Sequence, residues 1–112
     1  MIPHNKIKVV DKILQTSFNI SIITKIEFLG WDKHTDVGFR KALHFIDFAN
    51  VIPVTEEIAN VAISLRRQYK VKLADAVIAA TAIYFSFTLV TRNERDFKKI
   101  TKLKIYNPFK DV

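Results

Sequence analysis

The segment from Leu73 to Phe85 is apolar on nearly all sides, and Asp75 is its only charged residue. A helix that faces water would show a polar side, so this composition predicts a helix buried against a sheet. A chain of 112 residues can bury one core of this kind and not two. We therefore expect a single domain over residues 1–112, built around this helix.

The remaining hydrophobic pattern alternates between helical and strand-like segments. Helices are predicted over 6–15, 25–31, 37–49, 55–69, 73–85 and 93–100, and strands over 18–23, 51–54, 88–91 and 104–106. Pro53 restricts the second of these strands to a sheet edge or a connection. Strands separated by helices are typical of a parallel sheet with crossover helices. The predicted class is therefore α/β, with a parallel sheet flanked by helices.

Composition excludes several kinds of site. The chain has no cysteine, which removes disulfides, thiolate metal sites and cysteine nucleophiles and is typical of a reducing cytosol. No apolar run approaches the roughly 20 residues that span a bilayer, and residues 1–11 show no signal-peptide pattern, so we expect a cytoplasmic protein. The net charge is +7, and residues 91–112 hold seven Lys and Arg against three Asp and Glu. A phosphate backbone is a candidate partner for this basic end.

Three acidic residues fall near the carboxyl ends of predicted strands, where parallel α/β sheets carry their functional groups. Glu27 follows the strand 18–23, Asp75 starts the buried helix, and Asp96 follows the strand 88–91. Carboxylates about 4–5 Å apart repel by about 3–4 kcal/mol at an effective dielectric near 20, so their convergence requires protons or cations. Oxygen ligands without His or Cys favour Mg²⁺ or Mn²⁺.

The same carboxylates also fit ordinary structural roles. Glu27 can complete a capping box in which Thr24 is the N-cap of the helix that follows. Asp75 can be the N-cap of a helix over 76–85, and Asp96 can be an exposed helix residue. Spacing alone therefore leaves the metal site and the structural roles both open.

Longer strings resemble the conserved blocks of PIN domains. Residues 21–30 read SIITKIEFLG, in which a strand runs into a helix that bears a glutamate. Residues 65–82 read LRRQYKVKLADAVIAATA, with Ala-Asp-Ala where the family usually has Pro-Asp-Ala. Residues 89–97 read LVTRNERDF, and 105–109 (IYNPF) resemble the ending of VapC-like toxins. The resemblance covers about residues 18–109, with the blocks in the order and spacing of the family.

This resemblance implies a three-layer PIN-like domain and an Mg²⁺- or Mn²⁺-dependent endoribonuclease, the toxin of a toxin–antitoxin pair. Its carboxylates would activate water to cut an RNA phosphodiester. The positions that match the catalytic and metal-binding carboxylates are Glu27, Asp75 and Asp96. Thr91 and Asn93 match supporting polar groups, although Asn93 also suits the N-cap of the last helix and Thr91 a strand end. The resemblance further implies a homodimer and a cognate antitoxin.

PIN domains begin with a central strand that ends in an aspartate, a further metal ligand. The residues Met1-Ile2-Pro3-His4 do not match that strand, and Asp11 lies on the polar side of a predicted helix. Loss of one of three or four carboxylates weakens metal binding severely. The chain is therefore expected to be an incomplete reading frame of a ribonuclease, a non-catalytic module that binds an antitoxin or RNA, or a domain completed by a second chain.

Overall fold

The computed structural model describes residues 18–108. In chain order the elements are β1 (Asn19–Ser21), α1 (Ile22–Leu29), α2 (Asp36–Ile46), β2 (Asn50–Ile52), α3 (Glu56–Gln68), α4 (Leu73–Phe85), β3 (Thr88–Val90), α5 (Glu94–Phe97) and β4 (Lys104–Tyr106). The helix predicted over residues 6–15 lies outside the described residues. The mixture of helices with short parallel strands confirms the predicted α/β class.

The core lies where α3 packs along α4. The apolar side of α3 contributes Ile58 and Leu65, which are buried, and the small side chains of α4 let the two helices approach closely. Ala76, Ala79 and Ala80 of α4 are completely buried. This helix has the bounds that its all-round apolar composition predicts, and it ends at Ser86, whose φ of 58° lies in the left-handed region. The buried helix predicted from the sequence is confirmed.

Parallel pairing joins the strands into two pairs within the described part of the chain. β1 pairs with β2, with Ile20 opposite Val51, and β3 pairs with β4, with Leu89 opposite Ile105. β2 ends immediately before Pro53, which has no N–H to donate to a further strand. The parallel arrangement is as predicted, but the strands form two separate pairs and not one continuous sheet.

The first helix begins earlier than the sequence pattern predicts. The Ser21 hydroxyl accepts a hydrogen bond from the backbone N–H of Ile23 at 3.1 Å, so Ser21 is the N-cap and α1 starts at Ile22. The predicted strand over 18–23 therefore shortens to three residues. The predicted capping box of Thr24 and Glu27 is wrong because the helix is already capped at Ser21, three residues before Thr24.

The last helix is shorter than the predicted 93–100. α5 ends at Phe97, and the Ile100 N–H then donates to the Phe97 carbonyl at 3.1 Å, which closes a tighter turn in place of another α-helical turn. Phe97, Ile100 and Leu103 are buried and hold this segment against the core. None of the helices within residues 18–108 is long and apolar enough to cross a membrane.

Candidate metal centre

A large cavity separates the two pairs of strands. It has a volume of about 1030 Å³, and all three residues of β1 and all three of β3 line it, whereas β2 and β4 contribute only Ile52 and Tyr106. We call this cavity the strand gap. Four of the five polar residues singled out from the sequence also line it: Glu27, Asp75, Thr91 and Asn93.

Asp75 lies in the first turn of α4, facing both the strand gap and a second cavity. The helix starts at Leu73 with Lys72 at the N-cap position, so the structural interpretation of Asp75 as an N-cap is wrong. Partial burial raises the pKa of the Asp75 carboxyl, and the nearby charge of Asp96 raises it further, while Lys72 and Lys99 act in the opposite direction. Asp75 and Asp96 therefore form a pair of like charges that repel each other, which a bound cation would relieve.

A chain of hydrogen bonds connects Asp96 to the end of β3. The Asn93 side-chain Nδ2 donates to Oδ2 of Asp96 at 2.7 Å, and the Asn93 backbone N–H donates to Oγ1 of Thr91 at 3.0 Å. Thr91 in turn continues the sheet, because its N–H donates to the Tyr106 carbonyl at 3.0 Å. Asn93 occupies the N-cap position of α5, but its side chain makes no capping bond. Its amide is used to orient the Asp96 carboxylate.

Glu27 lies on the β1 side of the strand gap. It is an exposed residue of α1, and it lines the cavity together with Ser21 and Thr24. The charges that act on Asp75 are those of Asp96, Lys72 and Lys99 and do not include Glu27. Glu27 and Asp75 thus share a cavity, but they do not act as neighbouring charges.

Within residues 18–108, no three His, Asp or Glu side chains lie close enough together to hold one metal ion. The three-carboxylate cluster expected from the sequence is therefore reduced to a pair, Asp75 and Asp96, and Glu27 lines the same cavity as Asp75 without joining the pair. A pair still suits magnesium, which is commonly bound by one or two carboxylates and keeps several waters for substrate phosphates. The Asp75–Asp96 pair and the adjacent Asn93 offer only oxygen and amide groups, and this donor set fits Mg²⁺ or Mn²⁺.

A second cavity of about 440 Å³ lies on the other side of Asp75. Four basic residues line this basic pocket beside the two aspartates and Val71: Arg66, Lys70, Lys72 and Lys99. The Lys99 ammonium is held in place by donating to the Lys70 carbonyl. The basic C-terminal end was expected from the sequence, but the cations at and just after the end of α3 were not. The run of Arg66, Arg67, Lys70 and Lys72 directly before Asp75 was the available signal.

Comparison with known proteins agrees with this architecture. The PIN domain family profile matches residues 5–103. A toxin-antitoxin complex from Klebsiella pneumoniae contains a chain that is 29% identical, with a TM-score of 0.75 over 96% of this chain and 87% of that one. VapBC2 from Rickettsia felis, bound to a DNA fragment from its promoter, gives 23% identity and a TM-score of 0.80, covering 94% and 86% of the two chains.

VapBC-1 from nontypeable Haemophilus influenzae is similar in fold, with a TM-score of 0.78 at 22% identity over 96% of this chain and 87% of that one. Curated protein sequences gave no significant match. The family profile spans most of the chain, and the structures share its arrangement of helices and parallel strands. The chain therefore belongs to the PIN domain family, and its fold is VapC-like.

Proposed function

We propose that this protein is the toxin of a toxin–antitoxin pair and that it hydrolyses RNA phosphodiester bonds with Mg²⁺ or Mn²⁺ bound at Asp75 and Asp96. The observation that carries the proposal is the convergence of polar groups at the strand gap. Asp75, Thr91 and Asn93 line the cavity, Asp96 is bonded to Asn93, and Glu27 lines the β1 side. The absence of cysteine suits a cytoplasmic setting for this activity.

The aspartate pair supports metal binding through its charge. Because burial and Asp96 both raise the pKa of Asp75, the ionised pair is costly in the free protein. Asp75 and Asp96 would hold the divalent cation, and the cation would supply Lewis acidity and lower the pKa of a bound water. Asn93 has a positioning role in this scheme, because its amide fixes the orientation of the Asp96 carboxylate.

Glu27 has a separate role in the proposed reaction. Glu27 is an exposed residue of α1 that lines the cavity, and its charge is not among those that act on Asp75. A carboxylate in this position can accept a proton from a water that enters the gap, which is the task of a general base. We assign Glu27 to that role in addition to outer metal coordination.

The basic pocket supports a nucleic-acid substrate. Lysine and arginine side chains bind phosphate oxygens without regard to base sequence, and such contacts position a strand for chemistry at a neighbouring site. Lys72 and Lys99 lie beside Asp75, so a phosphate held by them would place the adjoining phosphodiester next to the aspartate pair. RNA is the substrate that we propose, and a matched DNA strand is the comparison.

Exposed aromatic residues of α1, α2 and the connections after them support an antitoxin partner and a homodimer. Trp31 is 56% exposed, Phe45 45% and Phe48 80%, and the aromatic rings around them contact one another. Neighbouring exposed aromatic side chains are a candidate surface for a protein partner. The similar structure from Klebsiella pneumoniae is a toxin-antitoxin complex, and we propose an assembly of that kind for this chain.

RNA cleavage tests the proposal. We expect the wild-type protein to cut single-stranded RNA in Mn²⁺, and Asp75→Asn and Glu27→Gln each to lower the rate by about 100-fold or more, as loss of a metal ligand or general base does. Asp36→Asn and Glu57→Gln are the matched controls, because both residues are exposed acids in the first turns of other helices.

Cleavage that survives both site substitutions would contradict the proposed site. A protein that binds RNA or an antitoxin but never cleaves, with or without Mn²⁺, would support the alternative of a non-catalytic module. The basic pocket is the feature that favours this alternative, because it can bind a phosphate backbone without the aspartate pair.

A further inference from the structure

The basic pocket has an excess of positive charge. Its charged lining residues are four cations and two carboxylates: Arg66, Lys70, Lys72, Lys99, Asp75 and Asp96. At neutral pH these groups carry four positive and two negative charges, which leaves a balance of +2. An anion with two negative charges therefore matches the pocket, whereas an anion with one negative charge leaves half of the excess unbalanced.

Two hydrogen bonds hold the walls of this pocket together. The hydroxyl groups of Tyr69 and Thr101 lie 3.3 Å apart, and the Lys99 ammonium donates to the Lys70 carbonyl. These bonds tie the end of α3 to the segment that follows α5. Tyr69 and Val71 also pack against the core. The backbone that carries Lys70 and Lys99 is therefore held in place before any ligand binds, which lowers the entropy cost of binding.

The donors and the size of the pocket suit a small phosphate compound. A lysine ammonium has three N–H groups, so the bond from Lys99 to the Lys70 carbonyl leaves two for a ligand. The volume of about 440 Å³ falls within the roughly 300–1,000 Å³ of small-molecule sites. A phosphate monoester carries a charge of roughly −1.5 to −2 at neutral pH. An internal phosphodiester carries only one negative charge.

We propose that the basic pocket binds a dianionic phosphate, either the phosphate monoester at an RNA end or free phosphate, in preference to an internal phosphodiester. The inference deepens the proposed function and rests on it for the RNA end, because hydrolysis of a phosphodiester leaves one of the two product ends as a phosphate monoester. Asp75 lines both the basic pocket and the strand gap. A terminal phosphate seated in the pocket would therefore lead the strand past the aspartate pair.

Titration followed by amide nuclear magnetic resonance, in metal-free buffer, tests the preference for two negative charges. The probes are uridine 5′-phosphate and its methyl ester, which differ by one methyl group and one charge. We expect the monoester to bind about fivefold or more tightly than the diester, with the largest signal shifts at the amides of Lys70, Lys72 and Lys99. Binding should weaken as salt is added, because all four cations of the pocket are exposed.

Inorganic phosphate is the third probe, and it distinguishes the two sources of the ligand. Equal affinity for inorganic phosphate and uridine 5′-phosphate supports the proposal and identifies free phosphate as a sufficient ligand. Tighter binding of uridine 5′-phosphate supports it as well and identifies a nucleic-acid end, because the nucleoside then adds contacts of its own.

Charge-matched variants test whether these cations form the site. We expect Lys99→Met and Arg66→Met each to weaken binding of uridine 5′-phosphate by about threefold or more. Arg40→Met and Lys41→Met are the controls, because they remove the same charges from exposed positions of α2. Asp75→Asn should bind the monoester more tightly than the wild type, since it removes one of the two carboxylates of the pocket. Circular dichroism verifies that each variant is folded.

Equal affinity for the monoester and the diester, or no saturable binding of either, would overturn the proposal. Equal losses in the α2 controls would overturn it too, because the attraction would then come from net charge alone, and so would weaker binding in Asp75→Asn. RNA cleavage is measured separately. A protein that binds the monoester without cleaving RNA leaves this inference intact, and one that cleaves RNA without binding the monoester leaves only the proposed function, so the two failures are distinguishable.

Discussion

The two sides of the strand gap differ in how deeply their helices are buried and in how many of their polar side chains are linked to one another. On the β3 side, α4 is buried against α3, and Asp75, Asp96, Asn93 and Thr91 are linked by charge or hydrogen bonds. On the β1 side, α1 has no fully buried residue and Glu27 is exposed. A functional site that spans both sides therefore combines a buried half, which holds the aspartate pair, with a more exposed half, which holds Glu27.

The largest expected difference between the two sides concerns stability. Ile58 is completely buried against α4, whereas Ile26 of α1 is 60% exposed. Ile58→Ala should lower the free energy of unfolding by about 2–5 kcal/mol because it leaves a cavity in the core. Ile26→Ala should change it by less than about 0.5 kcal/mol. Urea unfolding measures both, and similar losses for the two variants would contradict the division into a buried and a more exposed side.

Of the described elements, the buried helix α4 was the one that the sequence predicted best. The apolar run from Leu73 to Phe85 predicted both that this helix exists and where it begins and ends. A helix that is apolar all round has no polar face to turn toward water, so it must be buried. The start of α1 was not predictable in the same way. Ser21 and Thr24 are both good N-caps, and only the β1–β2 pairing decides that the chain leaves the strand at Ser21.

The candidate site was predictable as a set of residues but not as a geometry. The strings around Glu27, Asp75 and Asp96 single out residues that line the strand gap or the basic pocket, yet the sequence does not reveal that Asn93 binds Asp96 instead of capping α5. The basic pocket joins the end of α3 to Lys99, about thirty positions later in the chain. Long-range contacts of this kind have no periodic signature in the sequence.

An intermediate effect is expected for the hydrogen bond that orients the metal ligand. Asn93→Ala removes the donor to Asp96 and should weaken Mn²⁺ binding by about 10- to 100-fold, as is usual when a residue that positions a ligand is lost. Asn60→Ala, at an exposed position of α3, is the matched control. Calorimetric titration with Mn²⁺ measures both, and an unchanged affinity in Asn93→Ala would show that Asp96 needs no such support.

The smallest expected effect concerns pH. The pKa of Asp75 is raised above its usual 3.8 in the folded protein, first by burial and then by Asp96. The favourable contribution of the protonated group is complete below the pKa of the unfolded chain, and it is lost as pH rises through the folded pKa. Asp75→Asn should therefore gain less than about 1 kcal/mol of stability at pH 7 in the absence of metal.

That gain should disappear below about pH 3, where Asp75 is protonated in both the folded and the unfolded chain. Urea midpoints of the wild type and Asp75→Asn at the two pH values test the sign. A loss of stability in Asp75→Asn at pH 7 would indicate that Lys72 and Lys99 outweigh the burial and the repulsion from Asp96.

Mn²⁺ binding followed by electron paramagnetic resonance tests most directly whether Asp75 and Asp96 form the metal centre. We predict one specific site in the wild type and in Asp36→Asn, loss of that site in Asp75→Asn and in Asp96→Asn, and a weaker effect in Glu27→Gln. Binding of Mn²⁺ to Asp75→Asn with the affinity of the wild type would contradict the account.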